Sequence, residues 1–190
     1  MLNTFLDKFI FTNGLRYTHH NFLLMNVPFS IVPVDVLVGL AQIEDVEVNQ
    51  RLYDAVKKHV SGSLVQSFQL GPPLEKAVLF LEEFFTASGW GLVRRVDLDA
   101  HKSRAIIVVE DNPVARSLQG KAKKPVDHLV RGVLAGVFSH LFKDDVDCVE
   151  HSCMALGAGR CEFIIKPQFE FDFSKPESRD QLLLEEAMKL

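Results

Sequence analysis

Cys153 and Cys161 lie eight positions apart, and Glu150 stands three residues before the first of them. Thiolate, carboxylate and imidazole are the side chains that bind Zn²⁺, which takes four of them in a tetrahedral array when its role is structural. The loop between the two cysteines contains Gly157-Ala158-Gly159. Glycine accepts the backbone angles of a sharp reversal, so the second thiolate can return beside the first where the next strand begins. Glu150, near the end of the preceding strand, can aim at the same turn and supply a third ligand. The fourth candidate is His128, which a helix crossing the sheet would have to bring in. His128, Gly132 and Gly136 stand four apart on one face of that helix. A glycine inside a helix costs roughly 1 kcal/mol relative to alanine, so this face implies close approach to a neighbouring element, and a stripe of short side chains would let His128 reach the hairpin. Two thiolates and one carboxylate leave one net negative charge on a zinc site, and Arg160 is placed to offset it. Cys148 alternates with Glu150 on the same strand face and is either a substitute ligand or core packing; His151 points the other way. The competing reading makes the cysteines small buried hydrophobes, His128 a helix-face residue and Glu150 a solvated one.

The elements that must position these residues follow from hydrophobic period and turn chemistry. Apolar residues through Phe9–Tyr17 and Asn21–Val27, with Asn13-Gly14 between them, predict short strands or a hairpin. Pro33 opens a helix through Val38. Glu47 to Phe68 reads as one longer helix whose Leu52, Val56, Val60, Leu64 and Phe68 fall four apart. Gly71-Pro72-Pro73 stops it, and Leu74 to Ser88 forms a strongly apolar helix ended by Gly89. The period then changes: Leu92 to Leu98 and Ala105 to Val109 predict an antiparallel pair about a polar turn at 99–103. Asp111 to Lys124 is a polar connection with a short helix at Val114 to Leu118. Pro125 starts a helix that runs to Phe142, with Asp127 in its first turn complementing the helix dipole. Strands at Asp145–His151 and Cys161–Lys166 close the core, and a helical tail occupies 171–190. The expected organisation is one α/β (α+β) domain over 1–170, an antiparallel sheet with packed helices, in which 125–167 carries the zinc ligands.

Composition bounds the function. A net charge of −4 and a pI near 6.0 give no basic field for nucleic acid. No window reaches the length of an apolar membrane span and the N-terminus lacks the pattern of a signal peptide, so a cytoplasmic protein is expected. Three cysteines within fourteen residues make a poor disulfide framework and a plausible thiolate cluster for a reducing compartment.

The segment PVDHLVRGVLAGVFSHLFKDDVDCVEHSCMALGAGRCEFIIKP, Pro125 to Pro167, resembles the 4-vinyl reductase or hydrocarbon-binding domain family. The features that carry the likeness are Gly132 and Gly136 on the helix, Glu150 on the strand, Cys153, Ala155 and Gly157 in a small-residue loop, and Cys161-Glu162-Phe163 opening the last strand. The resemblance implies a fold related to nitric-oxide-sensing and vesicle-tethering ligand-binding domains, a homodimer, and an apolar pocket near the zinc hairpin. In aromatic-sensing members the zinc is held by a helix Cys, the strand Glu and the two loop Cys; here the helix position is matched to His128. Phe80, Phe84, Trp90 and Phe138, together with Phe85 and Phe142, supply aromatic surface for such a pocket.

The expected function is a small-molecule sensor or carrier domain with a structural zinc, binding a hydrophobic or aromatic ligand without catalysis and signalling through a separate protein partner. The alternatives are a reductase-type enzyme or accessory protein acting on a tetrapyrrole vinyl group, and a dimeric scaffold. Against a reductase, Gly157-Ala158-Gly159 leads into a strand and is no dinucleotide fingerprint, and three cysteines are too few for a four-thiolate iron–sulfur site.

Overall fold

Alternating burial along four segments produces the central sheet of the computed structural model, which describes residues 4–12 and 14–182. Its strands are β4 (Leu92–Asp99), β5 (Arg104–Glu110), β6 (Asp147–Ser152) and β7 (Cys161–Lys166), all antiparallel, in the order β4-β5-β7-β6. Val109 pairs with Cys161 and Glu150 with Phe163, so the register brings the thiol of β7 and the carboxyl of β6 to one end of the sheet. Residues of β5, β6 and β7 are almost wholly buried: Ala105, Ile107, Val109, Cys148, Phe163 and Ile165 are each 2% exposed or less. The mixed architecture expected from the sequence is the one present.

The N-terminal region differs from the predicted hairpin. A helix α1 (Thr4–Phe11) precedes a separate three-stranded meander of β1 (Leu15–Thr18), β2 (Asn21–Leu24) and β3 (Val27–Phe29). Its reversals fall at His19-His20 and Met25-Asn26, where both central residues have positive φ, the requirement of tight two-residue hairpin turns. Gly14 instead closes α1, its N–H donating to the Phe9 carbonyl; Asn13 lies outside the described residues.

The helices follow: α2 (Val34–Ala41), α3 (Val46–His59), the three-residue α4 (Val65–Ser67), α5 (Leu74–Ala87), the short α6 (Pro113–Ser117), α7 (His128–Phe142) and α8 (Pro176–Arg179). The run predicted as one helix from Glu47 to Phe68 is interrupted by a π turn at Val60–Leu64. The added residue shifts the buried face from a strict four-residue spacing to Tyr53, Val60, Val65 and Phe68.

Close approach at the α7 glycines is real, and the neighbour is α3. A Cβ on Gly132 would lie 2.9 Å from the Tyr53 carbonyl oxygen, and one on Gly136 would lie 2.6 Å from that of Lys57. Because Gly132 meets Tyr53 and Gly136 meets Lys57, the two helices run parallel. Gly136→Ala is therefore expected to destabilise the chain by ~1–3 kcal/mol despite alanine's better helix propensity, lowering the thermal midpoint by several degrees in calorimetry. An unchanged midpoint would mean that the helices can separate at no cost.

The C-terminal tail begins as part of the body. Phe171, Ser178, Gln181 and Leu182 are all buried, and α8 packs on β6. Residues 183–190, the greater part of the predicted tail helix, lie outside the described residues.

Candidate metal centre and apolar cavity

Four side chains, Asp127, Glu150, Cys153 and Cys161, bring one ligand atom each within 4.8 Å of one another, and all four residues are buried. Three of them are the strand and loop residues singled out in the sequence. Cys153 ends the extended segment after β6, a 3₁₀ turn over Met154–Leu156 follows, and Gly157 at φ 95° reverses the chain so that Cys161 opens β7 beside it. The Met154 N–H donates to the Cys161 sulfur at 3.4 Å, fixing the loop around the thiols.

Asp127, and not His128, completes the group. The helix begins at His128 instead of Pro125, so Asp127 is its N-terminal flank, with non-helical angles and no capping hydrogen bond from its side chain. Its N–H donates to Glu150 Oε2 at 3.1 Å and its carboxylate accepts from Asn112 Nδ2 at 2.9 Å, holding it over the hairpin. His128 belongs to the Gly132–Gly136 face, and that face is turned to α3. The stripe that made His128 attractive thus directs it away from the thiols. It is 8% exposed, and burial holds its pKa down to about 4.

The remaining sequence candidates separate cleanly. Cys148 is fully buried and outside the four, its carbonyl accepting from Arg131 Nε. Arg160 turns outward to pair with Glu162 at 3.0 Å, and His151 is exposed and paired with Glu177. Sequence reasoning missed Asn112, which also caps α6 through Val114 and Ala115. Asp127 itself was legible only as a helix-dipole residue, the commonest use of aspartate at such a position.

Electrostatically the group is strained toward neutrality. Burial, then the neighbouring Asp127, pushes the Glu150 carboxyl well above the usual range, and burial raises Asp127 as well. The hydrogen bond from the Cys161 thiol holds Cys153 down to about 6 against the burial that opposes it, while Cys161, the donor, is pushed up. Glu150 Oε1 is buried with no hydrogen-bond partner. Two sulfurs, two carboxylates and an orphaned carboxylate oxygen are a donor set that fits a divalent cation of zinc's character.

A cavity of about 670 Å³ lies between α1, the N-terminal meander, the end of α5 and the start of α6. Phe22, Phe29, Phe84, Trp90, Leu15, Leu24 and Leu37 line it, with Ser30, Ser88 and Asn112 as its polar groups. Of the aromatic residues proposed from the sequence, Phe84 and Trp90 are on its wall. Phe80 stacks behind Phe84 at 6.0 Å, and Phe138 is 1% exposed and packed on Phe142, so neither lines it. Asn112 faces the cavity and also holds Asp127.

Residues 105–167, which span all four clustered residues and Asn112, match the family model of the 4-vinyl reductase domain. The chain carries a 4-vinyl reductase domain. The fold that surrounds this 4-vinyl reductase segment is similar to that of the phenol-responsive sensory domain of the transcription activator PoxR, solved with phenol. The TM-score is 0.72 at 16% identity, covering 96% of this chain and 99% of that one. A vinyl-4-reductase family protein from Methanocaldococcus jannaschii aligns with a TM-score of 0.50 at 17% identity, over 73% of this chain and 83% of the other. A trafficking protein particle complex subunit 3 from Naegleria fowleri, covalently bound to palmitic acid, aligns over 70% of this chain and 89% of its own at 17% identity and a TM-score of 0.48. No curated protein gave a significant match. Among the described residues, no helix is long and apolar enough to cross a membrane.

Proposed function

We propose that the chain is a non-catalytic sensor or carrier domain that takes a small hydrophobic or aromatic molecule in the cavity walled by Phe84 and Trp90. The observation that carries this reading is the cavity itself: about 670 Å³, predominantly apolar, with a few convergent polar groups, within the size range of small-molecule sites. The phenol sensory domain shares this fold over nearly its whole length, which makes an aromatic occupant the first to test. A structural Zn²⁺ held by Asp127, Glu150, Cys153 and Cys161 is part of the proposal. Four protein ligands close the coordination sphere and leave no position for an activated water; the metal's contribution is a cross-link between the start of α7 and the β6–β7 hairpin. Asn112 would sense both sites, since it touches the cavity and holds Asp127.

A second copy of the chain is the proposed cover for the apolar strip at the cavity mouth, where Ile31 is 83% exposed, Val32 45% and Val36 53%, and a separate protein partner would read the state of the dimer. Free, closely spaced thiols suit a reducing cytoplasm.

Trp90 is the single tryptophan of the chain and stands on the cavity wall, so its emission reports occupancy. Phenol is expected to change that emission saturably, with affinity weakened several-fold in Phe84→Leu, a substitution that keeps most of the core volume. Emission that does not respond to phenol at any soluble concentration would remove the aromatic-ligand reading.

A further inference from the structure

A second recess, of about 400 Å³, lies beside the metal cluster and is chemically unlike the apolar cavity. It is bounded by the first turn of α3, the first turn of α7, the loop before α7 and the segment 176–181. Since Gly132 meets Tyr53 and Gly136 meets Lys57, α3 and α7 run parallel, and both present their N-terminal ends to this space. Each helix end carries a partial positive charge and unpaired N–H groups, so two at one recess favour an anion.

Buried side chains point to the same place. Asn49 is 5% exposed and His128 8% exposed, both line the recess, and Asn49 Oδ1 and His128 Nε2 are buried without hydrogen-bond partners. The amide of Asn49 is oriented: Nδ2 donates to the Ile43 carbonyl at 2.7 Å, which leaves Oδ1 as an acceptor awaiting a donor. Leaving such a buried group unsatisfied costs ~1–3 kcal/mol, so two on facing turns of adjacent helices call for an occupant. The charges around them are unequal in availability. Among the described residues Glu177 is engaged by His151, Asp180 by Arg179, and the Lys124 ammonium by the Glu44 carbonyl, whereas Lys123 at the mouth makes no ion pair. Pro125, Leu156 and Pro176 give the recess apolar walls for the body of a ligand.

We infer that this recess is a second ligand site, for a carboxylic acid bearing a hydroxyl on the adjacent carbon and an apolar substituent. The carboxylate accepts from His128 Nε2–H at the paired helix ends, with Lys123 at the mouth. The hydroxyl donates to Asn49 Oδ1, and the substituent lies between Pro125, Leu156 and Pro176.

Mandelate and phenylacetate differ by that hydroxyl alone and are the probes. In NMR titrations of the intact, metal-analysed chain, mandelate is expected to shift the His128 ring and Asn49 side-chain amide signals saturably. Phenylacetate should bind about tenfold more weakly, the worth of one hydrogen bond. Lys123→Gln, at an exposed position that leaves the fold intact, should weaken mandelate several-fold. Trp90 is not on this recess, so its emission should stay unchanged as mandelate binds, while the response to phenol is judged separately. No saturable shift at the two residues, equal affinity for the two acids, or mandelate binding reported by Trp90 instead would each overturn the inference.

Discussion

Cys161→Ser is expected to purify without metal and to melt far below the parent chain. Structural zinc contributes on the order of 10 kcal/mol in small metal-dependent folds. In this larger core the loss should be ~3–10 kcal/mol, because Asp127 and Glu150 remain buried with no cation to balance them. Elemental mass spectrometry and a thermal scan read the two halves of this result, and full metal content in the serine variant would sink the centre altogether. The companion variants decide the fourth ligand: Asp127→Ala should lose metal and His128→Ala should keep it. The opposite pattern would return His128 to the site. Acid should also empty the centre. Burial raises the Asp127 and Glu150 carboxyls, so protons compete for these ligands earlier than for ordinary carboxylates, and retention should be full near neutrality and fall as the pH is lowered.

Arg131→Met should cost ~3–5 kcal/mol, the range for removing one member of a buried charged network. Arg131 is 2% exposed and lies 4.6 Å over the Tyr53 ring. Its Nε donates to the Cys148 carbonyl at 2.9 Å and its Nη2 to the Gln181 carbonyl at 2.5 Å. Tyr53 in turn donates to Asp147 at 2.7 Å, and Lys57 bonds the same carboxylate at 2.8 Å. Methionine fills similar volume but leaves two buried carbonyls without their donor and Asp147 with a less constrained partner. Calorimetry gives the magnitude, and limited proteolysis should show earlier cutting near 176–182, where the chain loses its anchor. A cost below ~1 kcal/mol would mean the network is dispensable.

The sequence was most readable where one local rule acted alone. The β6–β7 hairpin needs only two apolar strands and glycines between them, and β7 begins at Cys161 as its pattern predicts. The Gly132–Gly136 spacing correctly demanded a close neighbour, but spacing cannot say which element that neighbour is, and the choice of α3 over the hairpin moved the fourth cluster position from His128 to Asp127. The start of α7 was misjudged for a related reason. Proline and aspartate at a helix start are ordinarily local signals, whereas here a hydrogen bond to Glu150, distant in sequence, keeps Asp127 out of the helix. The π turn at Val60–Leu64 has no signature in a four-residue apolar period. The cavity was legible only as a surplus of aromatic residues: Phe84 and Trp90 face it, and Phe80 and Phe138 spend theirs on packing.

Gln181 gives the sheet something its strand order alone does not provide. β6 ends the order β4-β5-β7-β6, and a terminal strand exposes unpaired peptide groups to any other chain with a free edge. The Gln181 side chain accepts from the Glu150 N–H at 3.0 Å and donates to the Glu150 carbonyl at 2.9 Å, the pair of bonds a further strand would make. One amide thus imitates a peptide unit at the middle of the border, and edge-to-edge association is blocked where it would otherwise begin.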